Sequence, residues 1–327
     1  EINLKDAMMP MVSFARLYSL QHQINQTHTL ERIDPGKIAI NYSIHDVHAD
    51  GLSHGMYQLL IRYLAETPLL DRLIPAEEII AALRGIKTSS EVECIQGAVK
   101  TTGLIFNHTF AYMRLGMTEI QIAEFMHDQL RAFNVGPAWD LDHCPAVNTG
   151  PNSPVGHAGP TDLKVEPGHL VHFDFGVKQD DYCSDIQRVV YFLKPGETHP
   201  PEPVVRAFDT VYGAVQQAFS AIRPGRQGKE IDAIARRVIT DAGYPEYLYA
   251  TGHQLGRTAH DGAGILGPLW ERYGDTPNYI IEPGQVYTIE PGVAVPDYGY
   301  LGLEEDILVK DNGAVFLGDP QANLIIG

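Results

Sequence analysis

Two acidic side chains, Asp174 and Asp185, lie within or next to the two apolar runs found between residues 170 and 192. Two apolar runs separated by a polar turn at residues 179–181 are typical of a β-hairpin. A carboxylate in the middle of such a strand loses much of its hydration, so it needs a cation or strong hydrogen-bond donors beside it. The hairpin therefore leaves two alternatives, a salt bridge to Arg188 or a metal ion on which both carboxylates converge.

Three more polar residues stand among apolar or glycine-rich neighbours in the second half of the chain: His253, Glu290 and Glu304. Glu290 is expected in the middle of a strand, and Glu304 just before another apolar run. One such residue is usually a hydrogen-bonded core residue, but five exceed what ordinary hydrogen bonding explains. Carboxylates with one imidazole suit hard or borderline divalent metals, and several carboxylates suit two ions better than one.

The charge balance argues against a nucleic-acid-binding protein. The chain has 24 Lys and Arg against 41 Asp and Glu, a formal net charge of -17, whereas proteins that follow a phosphate backbone cluster basic residues. Bound cations would neutralise part of this acidity. With 327 residues, of which 44% are hydrophobic, the chain can form two domains with full cores.

The cysteines and the hydropathy predict a cytoplasmic protein. Cys94, Cys144 and Cys183 form no CxxC spacing and no disulfide-dense pattern, which fits a reducing compartment. No apolar run approaches the length of a membrane span, and no basic-then-apolar signal pattern opens the sequence. Cys183 lies near the hairpin, where a lone thiol is more often a small apolar filler than a nucleophile.

The chain order predicts a small α/β unit followed by a larger domain. Residues 1–85 are interpreted as an N-terminal α/β domain that is incomplete here, because the sequence begins abruptly without Met, and residues 86–327 as the catalytic domain. Ser90 is expected to cap the first long helix of that domain, and Thr118 the second. A second pair of helices is expected at 201–242.

A loop rich in glycine and proline, residues 150–160, follows a predicted strand and carries His157 just ahead of the hairpin. Loops of this composition lie at the surface and often carry functional residues. His260 is likewise surrounded by a glycine-rich segment, so a role in the core is not expected for either histidine.

The sequence resembles the pita-bread metallopeptidases, the family of methionine aminopeptidase, aminopeptidase P and prolidase. The resemblance lies in four motifs in order over about the last two thirds of the chain: FDFG with the following YCSDxxR, then GHxLGxxxHD, TIEPG and LEEDIL. The segment 150–157 and the α/β domain in front are similar to the aminopeptidase P and prolidase branch. The resemblance implies an α+β pita-bread catalytic domain behind a creatinase-type N-terminal domain.

The same resemblance implies a set of roles for the polar residues. Asp174 would bind one divalent ion, His253 and Glu290 mainly the other, and Asp185 and Glu304 would bridge the two. A metal-bridging hydroxide would be the nucleophile, with Glu290 also moving its proton. The ions are expected to be Mn, with Co, Zn or Fe as alternatives.

Outside the ligand set, the resemblance places His157 and His260 against the substrate and the tetrahedral intermediate, where oxyanion charge develops. It also implies a short peptide substrate, preferably Xaa-Pro, and a homodimer whose second subunit narrows the cleft. Neither nucleic acid nor a membrane is expected as a partner.

One position departs from the family pattern. The prolidase and aminopeptidase P branch usually has an Arg two residues before the last glutamate, and this chain has Gly302. The proline preference is therefore expected to be partial. Two other functions share the fold: a lyase acting on small zwitterions, and a protein-binding module that has lost catalysis. The complete ligand set argues against the binding module, whereas only substrate profiling separates a lyase from a peptidase.

Overall fold

The computed structural model describes residue 30 and residues 32–43, 50–156 and 158–327. These residues divide into two compact units, one within residues 1–81 and the other formed by residues 82–327. The predicted site residue His157 lies outside the described residues.

The first unit contains a short parallel pair of strands, β1 (Ile38–Ile40) and β2 (Leu73–Pro75), with helix α1 (His54–Leu64) between them in the chain. A 3₁₀ helix, Leu70–Arg72, precedes β2. Leucines of α1 and of the segment that follows it form a small hydrophobic core, because α1 is amphipathic and turns Leu60 and Leu64 inward. Helix α2 (Glu77–Gly85) leads into the second unit.

Four long helices in the second unit come in two pairs: α3 (Ser89–Tyr112) with α4 (Glu119–Phe133), and α5 (Glu202–Ala221) with α6 (Gly228–Asp241). Helix α4 begins as predicted, because Thr118 accepts a hydrogen bond from the Gln121 amide in a capping box. The predicted cap of α3 is wrong. Thr88, not Ser90, caps this helix, since its side chain accepts from the Glu91 amide while the Glu91 carboxylate accepts from the Thr88 amide.

The remaining elements of the second unit are short strands and two 3₁₀ helices, Glu271–Tyr273 and Thr276–Asn278. The strands are β3 (Gly136–Pro137), β4 (Ala146–Thr149), β5 (Leu170–Phe175), β6 (Val177–Gln179), β7 (Tyr182–Cys183), β8 (Ile186–Tyr191), β9 (Gly252–His253), β10 (Ile265–Leu266), β11 (Val286–Ile289), β12 (Gly292–Val295), β13 (Gly299–Gly302), β14 (Glu305–Lys310), β15 (Gly313–Phe316) and β16 (Ile325–Ile326). Among the described residues of this unit they form five separate sheets, with the strand orders β16-β8-β5-β4, β11-β14-β15, β3-β6-β7, β12-β13 and β9-β10.

The predicted hairpin is present. Strands β5 and β8 pair antiparallel, with Asp174 opposite Gln187, and the shorter strands β6 and β7 continue the hairpin to its turn. The two turn residues, Asp180 and Asp181, have φ of 50° and 66°. Successive left-handed residues match the twist of a two-residue hairpin, and Asp tolerates this conformation better than most residues.

Alternation along β5 separates an apolar face from a polar one. Phe173 and Phe175 belong to the hydrophobic cluster that includes residues of α3 and α4. Leu170 points to the opposite face and belongs to the cluster that includes residues of α5 and α6. Because side chains alternate in a strand, His172 and Asp174 share the face of Leu170. The polar residues therefore lie on the face of the sheet that also bears the α5 and α6 core.

Among the described residues, no helix has both the length and the apolar composition needed to cross a membrane.

Candidate metal centre

The five residues of the predicted ligand set lie in or next to five different strands of the second unit. Asp174 lies in β5, and Asp185 directly precedes β8. His253 ends β9, Glu290 directly follows β11 rather than lying within a strand, and Glu304 directly precedes β14.

Backbone hydrogen bonds connect these strand ends and bring their side chains together. The Glu290 amide donates to the Thr251 carbonyl at 2.7 Å, and the Glu304 amide donates to the Gln187 carbonyl at 3.3 Å. Nε2 of His253 lies 3.7 Å from Oδ2 of Asp185 and 3.6 Å from Oε1 of Glu290. Ligand atoms of Asp185, His253 and Glu304 lie within 4.8 Å of one another, so these three residues could hold one metal ion.

The imidazole of His253 is oriented for metal binding. Its Nδ1 lies 3.2 Å from the Gln254 carbonyl oxygen, which can only accept a hydrogen bond, so the ring proton is assigned to Nδ1. The unprotonated Nε2 then faces the carboxylates. A histidine that donates one ring N–H to a backbone carbonyl is the usual arrangement of a metal ligand.

The carboxylates carry buried oxygens without hydrogen-bond partners among the described residues. These are Oδ1 of Asp174, both side-chain oxygens of Glu304, and Oδ1 of Asp306. A buried carboxylate oxygen without a donor costs several kcal/mol, and carboxylate clusters of this kind are stable when cations supply the missing charge. The residues present therefore fit a centre of divalent ions.

Burial raises the pKa of all four carboxylates in the group, and repulsion between them adds to this for Asp185, Glu290 and Glu304. Burial raises the pKa of Asp174 to about 6. The pKa of Asp185 lies well above its ordinary value because of burial and then the charges of Glu304 and Asp174. Burial and the charges of neighbouring carboxylates also raise the pKa of Glu290 and of Glu304. Divalent ions bound here would remove this repulsion and lower these pKa values.

The alternative of a salt bridge between Asp174 and Arg188 is wrong. Arg188 lies opposite Phe173 in the hairpin, and its guanidinium donates two hydrogen bonds to Glu305, at 2.9 and 3.0 Å. Its remaining hydrogen bonds go to backbone carbonyls of Gln187, Glu304 and residue 319. Arg188 therefore leaves Asp174 unneutralised.

His260 lies beside the ligand group. Its ring centroid is 3.9 Å from that of His253, with the two rings nearly perpendicular, and the residue is exposed. The loop that carries it is held by Asp261, which is buried and accepts from the Arg257 amide at 2.6 Å and from the Arg84 guanidinium. His260 can therefore reach a molecule bound at the ligand group.

The thiol of Cys183 is buried and unsuited to nucleophilic attack. Its Sγ contacts the carbonyls of Ala138 and Arg257, and burial raises its pKa to about 11. The thiolate is the reactive form of cysteine, so this side chain fills space in the core.

Sequence analysis missed three buried polar residues beside the ligand group: His172, Gln187 and Asp306. Each follows or precedes a ligand by two positions in a strand, and a spacing of two places side chains on the same face. Asp306 accepts a hydrogen bond from the Asp185 amide at 3.1 Å. The period of two around each predicted ligand was the signal that could have identified all three.

The space next to Gly302 is filled by two of these residues. A methyl group added at Gly302 would lie 2.4 Å from Oε1 of Gln187 and 2.8 Å from Nε2 of His172. The absence of a side chain at this position therefore has a packing reason.

Comparison with known proteins gives one family for the second unit. The family model of metallopeptidase family M24 matches residues 93–311. A second model, described as a putative nucleotidyltransferase substrate binding domain, matches residues 1–58, most of which lie outside the described residues. An uncharacterized peptidase of Bacillus subtilis, YqhT, is 32% identical over 256 residues, 78% of this chain and 68% of that protein.

Solved structures show the same fold over most of the chain. A Xaa-Pro dipeptidase from Bacillus anthracis superposes with a TM-score of 0.75 at 25% identity, covering 95% of this chain and 79% of that one. A dipeptidase from Pyrococcus horikoshii gives 0.73 at 28% identity, covering 94% and 78%. The predicted pita-bread fold class is confirmed. The division into a creatinase-type domain, residues 1–85, and a catalytic domain, residues 86–327, stays a prediction.

Proposed function

Because this chain belongs to metallopeptidase family M24, we propose that it hydrolyses short peptides with two divalent ions, preferring but not requiring proline after the scissile bond. The observation that carries this proposal is the group of acidic side chains around His253, whose buried oxygens lack donors among the described residues. Ions are the partners that such oxygens need.

Within this proposal, Asp174 would hold one ion, His253 and Glu290 mainly the second, and Asp185 and Glu304 would contribute to both. When bound, the ions supply a water that loses its proton near neutral pH and positive charge that polarises the peptide carbonyl. Manganese is proposed, with cobalt, zinc and iron as alternatives, since these ligands accept all four.

The side chains around the ions handle the proton and the developing negative charge. Glu290 is proposed to accept the proton of the attacking water and return it to the leaving amine, because its carboxylate lies beside His253 within the ligand group. His260, exposed beside His253, is proposed to donate to the oxyanion. The same role is proposed for His157 from sequence alone.

The substrate class is supported by solved neighbours described as a Xaa-Pro dipeptidase and a dipeptidase. Gly302, where a basic residue is usual in the prolidase branch, supports only a partial proline preference. A homodimer that narrows the cleft and a cytoplasmic location are proposed from the family resemblance and the cysteine pattern.

A substrate panel tests the proposal. Metal-free protein is reconstituted with Mn²⁺ or Co²⁺ and assayed on Xaa-Pro dipeptides, Xaa-Pro-Yaa tripeptides and matched Xaa-Ala peptides, with sedimentation in parallel. We expect hydrolysis of short peptides, faster with proline, and a dimer. Metal-loaded protein that hydrolyses none of these peptides would contradict the peptidase and favour the lyase, whereas protein that retains no metal would favour the binding module. A monomer in sedimentation that still hydrolyses these peptides would contradict the dimer alone.

A further inference from the structure

A chain of hydrogen bonds between buried side chains ends on Glu290. The Gln187 amide nitrogen donates to Oε2 of Glu290 at 3.3 Å, and the Gln187 amide oxygen lies 2.9 Å from Nε2 of His172. His172 in turn faces the amide oxygen of Asn148 with its Nδ1, at 3.2 Å. All three residues in front of Glu290 are at most 5% exposed.

These hydrogen bonds fix which end of the Gln187 amide faces the Glu290 carboxylate. The Glu290 carboxylate can only accept, so the Gln187 amide turns its nitrogen toward Glu290 and its oxygen toward His172. The His172 ring proton is therefore assigned to Nε2, which donates it to the Gln187 oxygen. Rotating the Gln187 amide by 180° would place its oxygen against the Glu290 carboxylate and its N–H against the His172 donor, so this orientation is strongly disfavoured.

Gln187 also touches the rest of the ligand group. It lies directly opposite Asp174 in the β5–β8 pair, and its backbone carbonyl accepts from the Glu304 amide. Its side chain occupies space that any residue larger than glycine at position 302 would enter. Gln187 thus contacts or faces three of the five proposed ligands and depends on Gly302 for its place.

We propose that Gln187 is a positioning residue, which, held by His172 and given room by Gly302, fixes the carboxylate of Glu290 at the metal centre. The proposal depends on the proposed metal site. Residues behind metal ligands set the orientation of those ligands, and their loss typically reduces metal affinity or activity about 10- to 100-fold.

The main test is Gln187→Met, which keeps an unbranched side chain and removes both the donor and the acceptor. Calorimetric titration of metal-free protein with Mn²⁺ is expected to show one ion bound about 10- to 100-fold more weakly and the other nearly unchanged. At saturating Mn²⁺, kcat is expected to fall while KM stays within about twofold, because Glu290 acts in the transition state rather than in substrate binding.

The matched control is Gln321→Met. Gln321 is also a buried glutamine, and its amide exchanges hydrogen bonds with the backbone of Val189 at 2.7 and 3.0 Å. This variant loses an equally buried amide away from Glu290, so both Mn²⁺ affinities and kcat should stay at wild-type values.

A second variant tests the packing of Gln187 against position 302. Gly302→Ala adds a methyl against Gln187 and His172 and should weaken the same ion, whereas Gly103→Ala, at a helical glycine with open space around it, should not. Unchanged Mn²⁺ affinities in both Gln187→Met and Gly302→Ala would overturn the proposal. The titration gives this answer even if the wild-type protein hydrolyses no peptide, an outcome that would count against the proposed function alone.

Discussion

At the scale of single residues, the most unusual feature is a group of buried carboxylates with oxygens that have no hydrogen-bond donor among the described residues. Asp185 is 6% exposed and Glu304 is 1% exposed, and the side-chain oxygens of Glu304 accept no hydrogen bond from described residues. Such residues destabilise the metal-free fold, because their charges repel one another at low local dielectric. Substituting these carboxylates should therefore lower activity without lowering the stability of the metal-free protein.

Asp185→Asn should remove most hydrolysis, by about 100-fold or more, because an amide bridges two ions far less well than a carboxylate. The metal-free variant should be at least as stable as the metal-free wild type, since one buried charge is gone. Initial rates at saturating Mn²⁺ and thermal unfolding in EDTA check the two parts. Asp128→Asn, at an exposed ion pair with Arg131, is the control. Wild-type turnover in Asp185→Asn would show that Asp185 is no ligand.

Alanine substitutions at His253 and His260 should have different effects on metal content and on kcat. His253→Ala should reduce metal content, because its Nε2 faces the carboxylates, whereas His260→Ala should keep the metal and lower kcat about 10- to 1,000-fold through loss of an oxyanion donor. Metal analysis after dialysis and steady-state rates measure this, with His199→Ala as a control at an exposed histidine. Equal metal loss in both variants would contradict the division of roles.

All five predicted ligands come from residues whose chemistry contradicts their surroundings, which is why sequence alone could identify them as candidates. Gln187 and His172 do not contradict their surroundings in this way, so the only sequence signal for them was a spacing of two from a ligand, and only the fold shows the hydrogen bonds that connect them to Glu290. The packing against Gly302 was equally hidden, because it depends on contact between different strands.

At the scale of elements, strand β8 is attached to β14 by a buried ion pair. The side chains of Arg188 and Glu305 are 11% and 5% exposed, and Glu305 also accepts from the Gln321 amide at 3.0 Å. The ends of these two strands carry Asp185 and Glu304, so the pair holds two proposed bridging ligands in register. Glu305 directly follows Glu304 and Arg188 lies three residues after Asp185, so alternation places the ion pair on the face opposite the ligands.

Arg188→Met should lower the free energy of unfolding by about 3–5 kcal/mol, because Glu305 would remain as a buried charge without its partner. Arg131→Met, at the exposed pair with Asp128, should cost about 0–1 kcal/mol. Urea denaturation of metal-free protein measures both. Adding Glu305→Gln to Arg188→Met should recover part of the loss, and equal losses in the Arg188 and Arg131 variants would contradict this account.

Elements were predicted best where one pattern dominates. The alternation around Asp174 and the cap at Thr118 identified the hairpin and helix α4. The start of α3 was misplaced because Thr88 and Ser90 each have a glutamate three residues later, Glu91 and Glu93, so the capping-box pattern alone does not separate the two positions. Glu290 was expected within a strand, yet β11 ends at Ile289. Pro291, which follows Glu290, has no N–H to donate to a neighbouring strand, so strand pairing does not continue past this point.

At the scale of the whole molecule, stability should depend on pH in opposite ways with and without metal. The folded pKa of Asp174, about 6, exceeds its ordinary value of 3.8, and the pKa values of the neighbouring carboxylates are raised too. Between these values the folded state binds more protons than the unfolded state. This contribution to stability is therefore complete below about pH 4 and is lost as the pH rises through 6.

Thermal unfolding of metal-free wild type and Asp174→Asn between pH 4 and 8 tests this expectation. The variant should gain stability relative to wild type as the pH rises, because its amide does not ionise. With Mn²⁺ the wild type should instead become more stable over the same range, since metal binds the deprotonated ligands. A wild-type-to-variant difference that does not change with pH in EDTA would contradict the raised pKa of Asp174.

The buried oxygens of Glu304 and Asp174 that have no hydrogen-bond donor among the described residues have a consequence for the protein in the cell. Before it binds metal, the newly synthesised protein is destabilised by repulsion between these buried carboxylates. Metal-free molecules that unfold are then substrates for proteases. The metal supply would thus affect both the catalytic activity of this protein and its resistance to degradation. Under metal starvation, its abundance should fall along with its activity.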